Sequence, residues 1–188
     1  RQGGSGFDAG TGKLRLGRRH QQRGEIYMAA TAFADAARLF LEGEHVREWA
    51  ITVGQIADIY QVRGELDEAL RIRREEQLPV FEKLGDVRSR AITVGQIADI
   101  YQVRGELDEA LRIRREEELP VYERLSDVRS RAITVGQIAD IYQVRGELDE
   151  ALRIRREEEL PVYEKLRDVH SRAITIGKIA DIYQVRGE

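Results

Sequence analysis

The sequence predicts an all-α fold, an α-solenoid of tandem helix–turn–helix units, on three observations. A block starting Ala50-Ile51-Thr52-Val53-Gly54 returns at Ala91, at Ala132 and, as Ala173-Ile174-Thr175-Ile176-Gly177, at Ala173, each step being 41 residues. Each block carries two apolar stripes of helical period. No stretch alternates apolar and polar residues over the length of a strand. A unit this small cannot enclose its own core, so neighbouring units must cover one another's apolar faces.

Taken in order, residues 1–9 are glycine-rich and are expected to be a flexible leader. Residues 10–188 divide into units 10–49, 50–90, 91–131 and 132–172, with a half unit at 173–188. Within a unit, Val53, Ile56, Ala57 and Tyr60 fall at three- and four-residue steps and form one stripe on a first helix, helix A. Gly64 then supplies a residue that tolerates positive φ at the helix end, and Asp67-Glu68 puts acid in the first turn of helix B. Helix B runs through Ala69, Leu70 and Ile72 towards Leu84, and Gly85-Asp86 restarts the cycle. Between residues 50–90 and 91–131 only Gln77, Phe81, Lys83 and Gly85 change, to Glu118, Tyr122, Arg124 and Ser126.

These residues resemble the tetratricopeptide (TPR) repeat. The N-terminal unit carries Leu16-Gly17, His20, Gly24, Ala29, Phe33 and Ala36 at the family's spacing, with His20 where Tyr is usual. Later units keep Ile56-Ala57, Tyr60, Gly64 and Ala69, and Leu84-Gly85-Asp86 leading into Val87-Arg88-Ser89 looks like the longer variety of roughly 40 residues. That variety is similar to repeats of kinesin light chains and of bacterial regulators fused to an ATPase or protease. The resemblance implies a right-handed superhelix with helix A lining a concave groove.

Two departures stand out. Arg73 and Glu76 stand where the family places an aromatic residue and Ala, and each unit carries one residue more than its relatives. The same stretch holds the chain's three prolines, Pro79, Pro120 and Pro161. A proline inside a helix removes one hydrogen bond and crowds a carbonyl, at roughly 3 kcal/mol if nothing relaxes. An extra residue taken up as a π-bulge absorbs both problems, so helix B is expected to be continuous but bulged before each proline; a break into two helices is the alternative.

Composition excludes much chemistry. The 188 residues hold 31 Lys and Arg against 34 Asp and Glu, three His and no Cys, for a net charge of -3. Disulfides, thiolate catalysis and Cys-ligated zinc are absent, and the lack of Cys fits a reducing compartment, with the cytoplasm expected. Gly3 to Lys13 fails as a phosphate loop, since Phe7 replaces the first glycine and Leu14 the magnesium-binding Ser or Thr. His20, His45 and His170 form no pair at metal-ligand spacing on a helix face, His20 standing in an aromatic core slot and the others in turns between units. Ser89, Ser130 and Ser171 stand at helix beginnings without a base. Carboxylates interleave with Arg, as in Asp67/Arg71 and Arg71/Glu75, the pattern of a paired, solvated helix face. No enzyme, metal or cofactor is expected, and neither a membrane nor, despite Arg15, Arg18, Arg19 and Arg23, a nucleic acid.

What remains is a non-enzymatic scaffold for a protein or peptide. With helix A inward, the groove carries Gln55, Asp58 and Gln61, then Gln96, Asp99 and Gln102, then Gln137, Asp140 and Gln143, and finally Lys178, Asp181 and Gln184. Gln donates and accepts, suiting an extended backbone, and the Asp series favours a basic peptide. Pairing of Asp58 with an Arg of an adjacent helix is the alternative for that residue. Gly54, Gly95, Gly136 and Gly177 let a partner or a neighbouring helix approach closely. The last helix A, with Ile176, Ile179, Ala180 and Tyr183, is expected to be covered by further repeats or by head-to-tail self-association. A regulatory arm of a larger signalling protein is the second functional reading.

Overall fold

The structure is a computed structural model that describes residues 3–188, with side chains from residue 6 onward. The predicted all-α repeat architecture is the one observed: among the described residues there are nine helices and no strand. They are α1 (Gly3–Gln22), α2 (Ile26–Glu42), α3 (Val46–Val62), α4 (residues 66–84), α5 (Val87–Val103), α6 (residues 107–124), α7 (Val128–Val144), α8 (residues 148–165) and α9 (Val169–Arg186). The chain falls into two compact units, Arg1–Thr93 and Val94–Glu188.

In the first unit, α1 and α2 meet through the small residues that carry the family pattern. A Cβ on Gly17 would lie 2.5 Å from the Phe33 ring, so only glycine admits that close approach. Ala29, Phe33 and Ala36 are fully buried, and Ala29 and Phe33 share a cluster with Ile59 of α3. Where a leader is expected over residues 1–9, α1 already begins at Gly3; residues 1 and 2 lie outside the described residues. The reason is Phe7, whose ring packs on Phe40 and His45 and gives the glycine-rich start a tertiary anchor. His45 also directly precedes α3, and His170 lies inside the first turn of α9 rather than in a turn.

Helix A starts four residues before each unit boundary drawn at Ala50, Ala91, Ala132 and Ala173, at Val46, Val87, Val128 and Val169. At the last three the start is set by a side-chain cap. Asp127 accepts a hydrogen bond from the Ser130 amide at 3.1 Å and another from its hydroxyl at 2.7 Å, and Asp86/Ser89 and Asp168/Ser171 repeat the arrangement. The serines therefore have the helix-start role expected of them, with the aspartates as the caps. The Ser171 amide and hydroxyl hold the Asp168 carboxyl down at about 2.

Helix B is continuous and π-helical just before each proline, over Ile72–Gln77, Arg114–Glu118 and Arg155–Glu159. The amides of Leu78, Leu119 and Leu160 bond carbonyls five residues back, at Arg73, Arg114 and Arg155. The wider turn takes up the extra residue and clears room for the following proline, as the sequence predicts. It also changes the surface pairing: Arg71 reaches Glu76, five residues on, at 2.9 Å but Glu75, four on, only at 3.8 Å.

In the second unit the core joins Val135, Ile138, Ala139 and Tyr142 of α7 to Ala151, Leu152 and Ile154 of α8 and Ile182 of α9. Helix B ends in a left-handed residue, which is Gly85 in one unit but Ser126 and Arg167 in the next two, at φ 52° and 53°. A side chain in that region is strained, so Ser126→Gly and Arg167→Gly should each stabilise the chain by roughly 0.5–1 kcal/mol in urea unfolding. Gly85→Ser should do the opposite.

Candidate functional site

Each of the three 41-residue repeats buries a charged side chain from the polar run that interrupts its apolar stripe. Arg73, Arg114 and Arg155, the first or second residues of the π-helical segments, have no exposure to water. Each donates to an aspartate of its own helix A: Arg73 to Asp58, Arg114 to Asp99 and Arg155 to Asp140. The second arm of the fork serves the residue four positions on. Arg73 donates to the Gln77 side-chain oxygen Oε1 at 3.2 Å, and Arg114 and Arg155 donate to the Glu118 and Glu159 carboxylates at 2.9 Å. A buried ion is tolerated only when such partners surround it, and here an acidic or amide oxygen meets both terminal nitrogens.

The glycines of helix A are the other half of this arrangement. A Cβ on Gly54 would fall 2.3 Å from the Gln77 amide, and on Gly95 or Gly136 it would fall 2.6 Å from Glu118 or Glu159. The close approach expected at these glycines is thus made by the neighbouring helix of the same repeat. In the second unit the network also crosses to the following helix A. Thr134 Oγ1 lies 3.1 Å from Glu118 and Thr175 Oγ1 3.0 Å from Glu159, while Arg114 donates to Gln137 at 2.9 Å.

The predicted site residues therefore divide. Asp58, Asp99 and Asp140 are engaged by buried arginine, the alternative the sequence left open for Asp58. Gln55 donates to Asp58 at 2.9 Å, and Lys178 donates to both oxygens of Asp140 at 2.8 Å. Gln61, Gln96, Gln102 and Gln143 are half-buried, and Asp181 and Gln184 are exposed. Structure brings Asp140, Gln143, Lys178 and Asp181 together around a groove of about 450 Å³ with Val144, Leu148 and Val185. The valines are an addition to the sequence reading: Val62, Val103, Val144 and Val185 recur at the repeat period and are 64 to 68 % exposed. An apolar residue directly after each groove glutamine, off the core stripe, is the sequence signal that reveals them.

No family model matches this sequence, and no curated protein does. Solved structures match over most of the chain. One is a Podosopora anserina protein named for kinesin light chain and for its nearly identical TPR-like repeats, 22 % identical, covering 94 % of this chain and 86 % of that one, at a TM-score of 0.73. The fold is that of the TPR-like repeats. Aspartyl phosphate phosphatase F of Bacillus subtilis matches 94 % of this chain and 45 % of its own at 12 % identity and a TM-score of 0.82. BtubC (BKLC) of P. vanneervenii matches 100 % and 91 % at 16 % identity and a TM-score of 0.57. Among the described residues no helix is long and apolar enough to cross a membrane, and no group of His, Asp and Glu is arranged to hold a metal.

Burial raises the Glu118 carboxyl above its ordinary 4.5, against the opposing pull of Arg114 and Thr134. A carboxyl raised in the folded state disfavours folding while ionised, and that penalty fades as pH falls through the raised value towards 4.5. Glu118→Gln, which copies Gln77 of the preceding repeat, should therefore raise Tm at pH 7. The gain should vanish as the pH approaches 4.5 in a series of thermal melts.

Proposed function

We propose that this chain is a non-enzymatic scaffold that binds a protein or peptide in the groove formed by the helix A residues. The reading rests on the groove lined by Asp140, Gln143, Val144, Leu148, Lys178, Asp181 and Val185. Its chemistry is mixed in the way peptide grooves are: valines and a leucine offer apolar contact, Gln143 can both donate and accept, and the carboxylates set a charge preference. Asp140 is already paired with Arg155 and Lys178, whereas Asp181 is exposed and makes no ion pair among the described residues. A basic residue of an extended peptide is therefore directed to Asp181, and its apolar neighbours to Val144 and Val185. The groove series Gln55, Asp58, Gln61, Gln96, Asp99 and Gln102 supplies the same residue types at the repeat period. Their aspartates serve the buried arginines first.

Two further readings stay within this proposal. The TPR-like likeness to aspartyl phosphate phosphatase F, of which this chain spans 45 %, supports a repeat arm of a larger signalling protein. The cytoplasm is the compartment such a cysteine-free repeat protein fits.

The groove is tested with a displayed library of random dodecamer peptides selected on the intact chain. Enriched sequences should pair Lys or Arg with apolar residues, and Val144→Ser/Val185→Ser should weaken them about tenfold, as expected for two lost apolar contacts. The variant should melt like the parent, because both valines are exposed. Peptides that bind the double variant equally well, or a library that yields none, would exclude this groove as the site.

A further inference from the structure

At the other end of α7 from Val144, α7 and α8 enclose a second groove of about 550 Å³. Val128, Pro161, Val162 and Leu166 give it an apolar lining, and Arg131, Glu157, Glu158 and Lys165 are its charged side chains. Val128 opens α7 and Val144 closes it, so the two grooves stand about 24 Å apart along the helix and share no residue. This groove lies on the face of α8 turned away from α9. Thr175 of α9 donates to Glu159 at 3.0 Å, Tyr183 accepts from Arg156 at 3.2 Å and Arg172 pairs with Glu164 at 3.4 Å, all on the opposite side of α8. The apolar edge is a property of the repeat: Val46 and Leu84, Val87 and Leu125, and Val128 and Leu166 are each 41 to 47 % exposed.

Three of the four charges in the groove are already met. Arg131 pairs with Glu123 at 3.2 Å, and Arg153 pairs with Glu157 at 3.5 Å and with Glu158 at 3.0 Å. Lys165 has no carboxylate partner among the described residues, and it directly precedes the exposed Leu166. In the earlier repeats the same position is Lys83 and Arg124, a cation each time, but the surroundings differ. Trp49 stands in place of Arg131 in one; in the other Val121 is buried and Arg124 donates back to the Pro120 carbonyl at 3.3 Å.

We propose that the groove between α7 and α8 is a second docking site, which takes a peptide segment carrying a carboxylate next to a branched or aromatic apolar residue. Its volume falls within the roughly 300–1,000 Å³ of ligand-binding clefts. The apolar side chain covers Val128, Val162 and Leu166, with Pro161 adding rigid surface that has no N–H to satisfy. The carboxylate answers Lys165, the groove's uncompensated charge. A basic segment finds no free anion here, since both glutamates are held by Arg153. The charge preference is therefore the reverse of that at Asp181, and the site is independent of the helix A groove.

The test selects a displayed library of random dodecamer peptides on the Val144→Ser/Val185→Ser chain, so that peptides of the helix A groove do not dominate. Enriched sequences should place Asp or Glu beside Leu, Ile, Phe or Trp. A labelled synthetic copy of the most enriched peptide, titrated by anisotropy, should bind at least tenfold more weakly to the chain carrying Lys165→Glu, and likewise to Val128→Ser/Leu166→Ser. Lys165→Arg should bind like the parent. All these variants should melt like the parent, because the three side chains are exposed. A selection that yields no peptide, or only basic ones, would overturn the proposal, as would binding indifferent to Lys165→Glu. So would co-sedimentation with phosphatidylserine vesicles that Lys165→Glu abolishes and the peptide fails to displace, since the face would then belong to a membrane surface.

Discussion

A guanidinium with no access to water lies in each of the three 41-residue repeats, and the identities of four other positions follow from it. Removing such an ion from water costs several kcal/mol unless opposite charge and hydrogen bonds replace the solvent. The aspartate fifteen residues earlier supplies the charge, and Gln77, Glu118 or Glu159 supplies the second acceptor. Those acceptors fit only because helix A has glycine beneath them. The π-helical turn brings the arginine and its partner four residues on to the buried side together, and the proline that follows sits where the widened turn leaves room. Asp, Arg, Gln or Glu, Gly and Pro are thus one device distributed over two helices.

The same device limits what the groove can offer. Asp58, Asp99 and Asp140 are spent on neutralising arginine, so replacing them disturbs the repeat itself. Side chains free of structural duty are the exposed valines, the half-buried Gln143 and the terminal Asp181.

Much of the fold was legible in the sequence because repetition and helical period report directly on packing. The 41-residue step, the stripe Val53, Ile56, Ala57 and Tyr60, and the turn glycine Gly64 all have the roles their spacing predicts. The bulge before each proline was legible too, from one residue too many beside a residue that breaks α-helices. The buried arginine was not, because Arg73-Arg74-Glu75-Glu76 reads as a polar interruption of the apolar stripe, and nothing in the sequence shows that Arg73 keeps the inward position with Asp58 meeting its charge while Arg74 and Glu75 stay exposed. Glycine at position 54 signalled a close approach but not its source, since the Gln77 side chain reaches it from the other helix. At the N-terminus, glycine content suggested a leader, and the single aromatic contact of Phe7 with Phe40 and His45 outweighs that composition.

The most direct measurement is a double-mutant cycle between Arg73→Met and Asp58→Ala, read by urea unfolding of the intact chain. If the buried pair organises the repeat, each single change should cost about 3–5 kcal/mol and the two should be coupled by at least about 1.5 kcal/mol. Single changes that cost under about 1 kcal/mol and add independently would show that the arginine is accommodated rather than required, and the account built on it would fail.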